Sequence, residues 1–269
     1  MVGLEKLGIL NEDREMVDEI ISVPYGIILV TGPTGSGKST TLYSVLEQIS
    51  KPEVNIITVE DPVEYTMTGI NQIQVQEKAG LTFGEAMRSI LRQDPDKIMV
   101  GEIRDLETAQ LAVRAALTGH LVLSTLHTND APGAPVRMTE MGIAPFLVSS
   151  ALVAVIAQRL VRCLCSECKQ RYDIPSATCQ DVGLPEGSSA FRPVGCDVCR
   201  GTGYKGRLGI FEIMRVNDTI KGLILDGVPG YRLEKEAVAA GMKTLRQAGL
   251  KRVLDGTTSL EEVMQVTFN

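Results

Sequence analysis

Eight consecutive residues have the composition of a phosphate-binding loop: Gly32, Pro33, Thr34, Gly35, Ser36, Gly37, Lys38 and Ser39. In such a loop the glycines allow a tight turn whose backbone N–H groups point at phosphate oxygens. A lysine at the position of Lys38 reaches the β- and γ-phosphates, and the hydroxyl of Ser39 can ligate Mg²⁺. The sequence therefore predicts that the segment from Gly32 through Thr40 binds a nucleoside triphosphate together with Mg²⁺.

Two acidic clusters each follow a run of β-branched and apolar residues. The first extends from Glu60 to Glu64 after residues 55–59, and the second from Gly101 to Asp105 after residues 97–100. Hydrolysis of a triphosphate needs one acid near the metal and another group that orients the attacking water. Parallel strands bring such clusters to one edge of a sheet. Either cluster alone could be a solvated acidic turn, but two beside a phosphate-binding loop favour a catalytic site.

Both histidines of the chain flank one predicted strand, with His120 before it and His127 after it. His127 falls at the end of the strand where ligands bind, so it could donate a hydrogen bond to the γ-phosphate or to a carboxylate. A structural role is as well supported as a functional one for His120. We therefore predict that His127 is the functional histidine.

Four of the six cysteines form two Cys-x-x-Cys pairs separated by 27 residues. This spacing predicts one tetrahedral zinc ion held by four thiolates, which leaves no open position for a substrate. The zinc would be structural, and two disulfides are the less favoured alternative. Cys163 and Cys179 lie outside the pattern and are interpreted as free thiols. The predicted zinc ligands are Cys165, Cys168, Cys196 and Cys199.

The elements around these motifs alternate between buried strands and helices, which predicts a mostly parallel sheet covered on both faces. We therefore expect an α/β fold: a RecA-like P-loop NTPase with a mostly parallel sheet, plus a four-cysteine zinc subdomain and a small helical C-terminal region. We also predict helices over 134–141 and 145–160, after the last strand of the core. The predicted parts are an N-terminal helical stub or linker (1–23), the RecA-like NTPase core (24–160), the zinc subdomain (161–207) and the helical C-terminal part (208–269).

Composition narrows the possible functions. A net charge of −6, no tryptophan and 4% aromatic residues argue against a basic, base-stacking channel for nucleic acid. The N-terminus does not resemble a signal peptide, and the longest apolar stretch, 146–157, is too short to cross a bilayer. We therefore expect a cytoplasmic protein that reaches a membrane only through its partners.

Five sequence blocks together resemble the secretion ATPases of type II secretion and type IV pilus assembly, and the similarity extends over nearly the whole chain from Gly26. In that family the blocks include the Walker A motif, the Asp box, the Walker B motif and the His box. They are Gly-Pro-Thr-Gly-Ser-Gly-Lys-Ser-Thr-Thr-Leu (32–42), Val-Glu-Asp-Pro-Val-Glu-Tyr (59–65), Leu-Arg-Gln-Asp-Pro-Asp (91–96), Gly-Glu-Ile-Arg-Asp-Leu-Glu-Thr-Ala (101–109) and Thr-Gly-His-Leu-Val-Leu-Ser-Thr-Leu-His-Thr-Asn (118–129).

The resemblance implies ATP as the nucleotide and a role for each motif residue. Glu102 would be the acid near the metal, Glu64 would activate water, and His120 with His127 would couple nucleotide state to a subunit interface. The resemblance also implies a homo-hexamer that acts with an inner-membrane platform protein and a cytoplasmic linker protein. Family members carry N-terminal domains before the position of Gly26, so either this chain is a fragment or those parts belong to another polypeptide.

The resemblance favours a motor for pseudopilus assembly in type II secretion, with type IV pilus assembly as the alternative. The cysteine module favours either of these over a retraction motor, since retraction relatives lack it. Two readings from other classes are kept: a nucleic-acid-translocating motor and a nucleotide switch that does not hydrolyse ATP.

Overall fold

The computed structural model describes residues 3–267. Within that range, seven strands form one sheet in the order β3-β2-β4-β5-β1-β6-β9, and β7 and β8 form a separate pair. In chain order the strands are β1 (Gly26–Thr31), β2 (Ile56–Glu60), β3 (Asn71–Gln74), β4 (Lys97–Val100), β5 (Leu121–Leu126), β6 (Leu152–Leu164), β7 (Gln170–Asp173), β8 (Ser189–Arg192) and β9 (Tyr204–Arg215).

One helix precedes the first strand, the others fall between strands or after the last one, and several begin at a side chain that caps them. Asp105 accepts the N–H of Thr108 at 2.8 Å, and Thr244 accepts that of Gln247 at 3.2 Å. The helices are α1 (Asn11–Ile21), α2 (Lys38–Ile49), α3 (Phe83–Ile90), α4 (Leu106–Leu117), α5 (Gly133–Glu140), α6 (Pro145–Ala151), α7 (Ser176–Val182), α8 (Asp218–Leu225), α9 (Gly230–Ala239), α10 (Leu245–Leu254) and α11 (Leu260–Thr267).

The large sheet is parallel except at one edge. β1 pairs in parallel with β5 and β6, β2 with β3 and β4, and β4 with β5, whereas β9 runs antiparallel to β6. Every residue of β1, β2 and β5 is buried, as expected when helices cover both faces. The carboxyl ends of β1, β2, β4 and β5 therefore meet at one edge, and the predicted α/β class is confirmed.

Two hydrophobic clusters hold the helices on opposite faces of the sheet. On one face, Ile20 of α1 and Leu46 of α2 pack with Ile28 of β1. On the other face, Met87 of α3 and Ala112 of α4 belong to the second cluster. Successive residues of β1 alternate between these clusters, so burial on both sides fixes the strand that leads into the phosphate-binding loop.

The predicted helix from Pro145 to Leu160 is wrong in its second half. Helix α6 ends at Ala151, and β6 begins at the next residue and pairs with both β1 and β9. An apolar run such as residues 152–157 fits a buried strand as well as a buried helix, and the pairing partners decide between them. The predicted boundaries at 160/161 and 207/208 fall inside β6 and β9, and the division into four parts remains a proposal.

The C-terminal region, which the sequence predicts to be helical, contains helices α8 to α11 after the end of β9. The antiparallel pair of β7 and β8, together with α7, occupies the segment between the two Cys-x-x-Cys pairs. Across residues 3–267 there is no helix with both the length and the apolar character needed to cross a bilayer.

Candidate functional site

The phosphate-binding loop connects β1 to α2, and its glycines adopt conformations that other residues rarely take. Gly32, Gly35 and Gly37 have φ angles of 147°, 79° and 89°. A Cβ on Gly32 would lie 2.5 Å from the carbonyl oxygen of Gln158 and 2.7 Å from Oγ of Ser36. Glycine at this position is therefore required by crowding as well as by the backbone angle.

Lys38 is the first residue of α2 and folds back over the loop. Its Nζ donates to the carbonyl oxygens of Gly32 at 2.9 Å and Pro33 at 3.0 Å. Burial lowers the pKa of Lys38, the nearby Glu102 carboxylate opposes that effect, and the positive charge of Arg159 adds to it. The ammonium group is thus held at the mouth of the loop, where a phosphate would replace carbonyl oxygens as its partner.

The loop has the donors that a triphosphate requires. The Oγ of Ser36 is buried and has no hydrogen-bond partner, which leaves a polar atom unsatisfied inside the loop. Ser39 is exposed toward the adjoining cavity, and Thr40 lines the same cavity. The backbone turn, the free Ser36 hydroxyl and the start of α2 together fit a bound triphosphate, with Ser39 placed to ligate Mg²⁺.

A cavity of about 610 Å³ opens beside the loop, a size typical of small-molecule sites. It is bounded by the phosphate-binding loop, by the segments that follow β2, β4 and β5, and by residues of β6 and β9. The side chains in its wall that the chemistry can use are Lys38, Ser39, Thr40, Glu60, Asp61, Glu64, Glu102, Arg104, His127 and Arg207.

Glu102 lies at the centre of the polar groups in this cavity, with only 15% of its side chain exposed. One carboxylate oxygen pairs with the guanidinium of Arg104, and Oε2 lies 3.5 Å from Nε2 of His127. Arg104 also reaches Oδ2 of Asp61 at 3.8 Å, and its hydrogen bond to Glu102 raises the pKa of Arg104. The three segments after β2, β4 and β5 are therefore connected through charged side chains.

The two acids that bound the Asp box have different environments. Glu64 is exposed in the cavity, and its backbone N–H donates to Oη of Tyr43 at 3.2 Å. Glu60 is buried and accepts hydrogen bonds from Thr58 at 2.5 Å, from Gln72 at 3.1 Å and from Tyr43. Of the two, Glu64 is free to meet a ligand, and Glu60 is engaged by protein donors.

The structure separates the two histidines. His120 precedes β5, where its Nδ1 lies 2.9 Å from the carbonyl oxygen of Ala115 and 3.3 Å from Oγ1 of Thr118. His127 follows β5 at the cavity, so the six residues of the strand, about 20 Å, lie between them. His120 fixes the end of α4 in this chain, and His127 alone faces the candidate site.

Several residues around the site come from β6 and β9, which the sequence interpretation missed. Arg159 is buried and donates to the carbonyl oxygens of Gln158 at 3.2 Å and Asn129 at 2.7 Å. Gln158 accepts the hydroxyl of Thr41 at 2.7 Å, and Arg207 reaches the cavity wall. The signal in the sequence was the polar pair Gln158-Arg159 inside an apolar run.

The four predicted zinc ligands form one cluster. Their sulfur atoms lie within 4.8 Å of one another, and three pairs are separated by 3.9, 3.8 and 3.8 Å. Four thiolates at about 2.3 Å from one zinc ion lie about 3.8 Å apart, so the spacing fits zinc. Although burial opposes ionisation, N–H groups of Cys196 and Gly203 lower the pKa of Cys199 to about 6. Cys163 and Cys179 lie outside the cluster.

Comparison with known proteins decides the family. The model of the family described as "Type II/IV secretion system protein" matches residues 1–265. The chain belongs to this family.

Relatives of this secretion-protein family include proteins of both predicted systems. Type II secretion system protein E of Pectobacterium carotovorum subsp. carotovorum is 51% identical over 266 residues, covering 99% of this chain and 53% of that protein. Type IV pilus assembly ATPase PilB of Thermus thermophilus is 52% identical over 269 residues, covering 98% and 30%. The chain spans about half, or less, of the length of these curated relatives.

A solved structure gives the same fold. The crystal structure of the pilus retraction motor PilT with bound ADP has a TM-score of 0.75 and 32% identity, covering 99% of this chain and 67% of that one. The predicted family resemblance and fold class are confirmed by these matches.

Proposed function

We propose that this secretion-family chain is an ATPase: it binds ATP with Mg²⁺ at the Lys38 loop and hydrolyses it to ADP and phosphate. The observation that carries the proposal is the position of Glu102, a shielded acid beside both Lys38 and His127. An acid near the metal and a phosphate-binding lysine are the two parts that P-loop hydrolases share. The similar structure of the retraction motor holds a nucleotide, ADP, which supports the same ligand here.

Each side chain of the site would have a separate task. Lys38 and the loop N–H groups hold the β- and γ-phosphates, while Ser39 and Glu102 are placed to hold Mg²⁺ and its water ligands. Mg²⁺ would neutralise the charge that develops between the β- and γ-phosphates. Glu64, exposed in the same cavity, would orient the attacking water. His127 would contact the γ-phosphate or keep Glu102 in place, and so report whether the phosphate is present.

The cysteine cluster would hold one structural zinc ion. Four thiolates leave no open coordination position, and the segment between the two pairs has only a short strand pair and one helix. The zinc would fold this segment against β9, the strand that carries Arg207 to the cavity. Its contribution to hydrolysis would therefore be indirect.

The oligomeric state and the partners of this chain are inferred from the family to which it belongs. We infer a homo-hexamer that works at the cytoplasmic face of the inner membrane, bound there through a platform protein and a cytoplasmic linker protein. Domain motion coupled to ATP hydrolysis would drive pseudopilus assembly in type II secretion. Assembly of a type IV pilus is the second candidate, because PilB of Thermus thermophilus is as similar as protein E of Pectobacterium.

The test is phosphate release from MgATP by the wild-type chain and by Glu102→Gln, with ATP binding measured in parallel. We expect Glu102→Gln to bind ATP with nearly unchanged affinity and to release phosphate at least 100-fold more slowly. Normal turnover by Glu102→Gln would overturn the assignment of the acid. Stimulation by DNA would favour the nucleic-acid motor, and binding without turnover in the assembled wild-type protein would favour the switch.

A further inference from the structure

Tyr43 links the helix of the phosphate-binding loop to the segment that carries Glu64. It follows Ser39 by four residues on α2, so both side chains fall on one face of the helix. Its side chain is 2% exposed, yet its hydroxyl makes two hydrogen bonds to the Asp box. The hydroxyl donates to Oε2 of Glu60 and accepts the backbone N–H of Glu64 at 3.2 Å.

The direction of these hydrogen bonds is fixed by the surroundings of Glu60. The other oxygen of that carboxylate already accepts Thr58 and Gln72. Burial raises the pKa of Tyr43, and the hydrogen bond to Glu60 raises it further, so the phenol stays protonated and donates a hydrogen bond to Glu60. A lone pair of the phenol oxygen is then directed at the Glu64 amide.

Two side chains of another element hold the same segment. Oε1 of Gln74 accepts the N–H of Val63 at 3.3 Å, and Oε1 of Gln72 accepts that of Met67 at 2.6 Å. Both glutamines belong to β3, at the edge of the sheet. Tyr43 is the anchor that belongs to α2, so it sets the distance between Glu64 and the helix that begins at Lys38.

We propose that Tyr43 is a positioning residue for hydrolysis, which holds Glu64 at a fixed place relative to the phosphate-binding loop. The inference rests on the proposed ATPase function. Without the hydroxyl, the loop can still hold ATP, but the segment with Glu64 loses its hydrogen bond to α2 and can shift away from the position of the attacking water, although Gln72 and Gln74 still hold it to β3. Misplacement of an orienting group by about 1 Å can cost two orders of magnitude in rate.

Tyr43→Phe removes the hydroxyl and keeps the ring. We expect kcat to fall at least tenfold while the Kd for ATP changes less than twofold. Thr58→Val is the matched control, since it removes a hydrogen bond to the same carboxylate without touching the Glu64 segment. Thr58→Val should lower thermal stability about as much as Tyr43→Phe does, and its kcat should stay within twofold of the wild type. Equal turnover in the two variants, or a loss of ATP binding in Tyr43→Phe, overturns the proposal.

Two measures keep the test decisive. If loss of the donor to Oε2 of Glu60 prevents Tyr43→Phe from folding, the double variant Tyr43→Phe/Glu60→Gln replaces the buried carboxyl with a neutral amide and should show the same loss of kcat relative to Glu60→Gln. If the wild-type chain does not hydrolyse ATP, the ATPase proposal fails on its own. Hydrogen exchange of the Glu64 amide then tests the link: at least tenfold faster exchange in Tyr43→Phe than in Thr58→Val supports it, and equal rates overturn it.

Discussion

Nε2 of His127 lies 3.5 Å from Oε2 of Glu102, at the ends of two neighbouring parallel strands. The two residues belong to motifs 25 positions apart in the chain, and the pairing of β4 with β5 brings them together. Under the proposed function, His127 would contact the γ-phosphate on one side and the acid that holds the metal on the other. The contact would then link the nucleotide state to the loop after β5.

Replacement of His127 should separate catalysis from binding. In His127→Ala, Glu102 loses one of its two partners, so we expect kcat to fall about tenfold while the Kd for ATP stays within threefold. His120→Ala is the control: it should lower the free energy of unfolding by about 1 kcal/mol, from the lost hydrogen bond to Ala115, and leave kcat unchanged. A larger loss of kcat in His120→Ala would contradict the separation of the two histidines.

Metal content tests the cysteine cluster. We expect the purified chain to contain one zinc ion, and Cys168→Ser to lose it to a chelator that leaves the wild-type chain loaded. Cys163→Ser, a thiol outside the cluster, should keep the metal and the thermal midpoint of the wild type. Measurement by elemental analysis and thermal unfolding distinguishes these cases. Zinc retained equally by both variants would show that the four thiols do not act as one site.

The buried carboxyl of Glu212 predicts a pH dependence of stability. Burial raises its pKa from 4.5 to about 7, although it accepts the N–H groups of Ala131 at 2.7 Å and Leu245 at 3.1 Å; the carboxylates of Asp130 and Glu234 add to the rise. Because the folded chain binds the proton more tightly than the unfolded chain, this stabilisation is complete below pH 4.5 and is lost as the pH rises through about 7.

The measurement is the free energy of unfolding in urea at pH 5 and pH 8. Relative to Glu212→Gln, which stays neutral, the wild type should lose up to about 3 kcal/mol between these pH values. Glu234→Gln, which removes an exposed carboxylate that makes only a small contribution to the raised pKa of Glu212, should keep most of the pH dependence of the wild type. If the difference between wild type and Glu212→Gln were the same at both pH values, Glu212 would titrate normally.

The core of the sheet could be predicted because its signals are local. Residues 26–31 are an apolar run that forms a buried strand, and the loop after them can be recognised from Gly32, Gly35 and Gly37, whose positive φ angles the turn requires. The placement of the acidic clusters and His127 at one edge of the sheet could also be predicted, because parallel strands place their carboxyl ends together. Glu64, Glu102 and His127 do line one cavity with Lys38.

The parts that were missed depend on contacts between distant segments. β6 pairs with β9, so Ala154 lies opposite Arg215, 61 residues further along the chain. No local pattern shows such a partner, and an apolar run without one is ambiguous between helix and strand. For that reason the sequence did not reveal the positions of Arg159 and Arg207 or the hydrogen bonds from Ala131 and Leu245 to Glu212. Tyr43 was missed because a tyrosine on a buried helix face is ordinarily interpreted as core.

Binding of MgATP followed by phosphate release tests the central claim most directly. We expect the wild-type chain to bind one MgATP and to release phosphate, and Lys38→Ala to lose at least 100-fold in affinity and all measurable turnover, because the charged partner of the β- and γ-phosphates is gone. Lys51→Ala, an exposed lysine beyond the end of α2, should behave as the wild type. Binding and phosphate release by Lys38→Ala equal to those of Lys51→Ala would contradict the account.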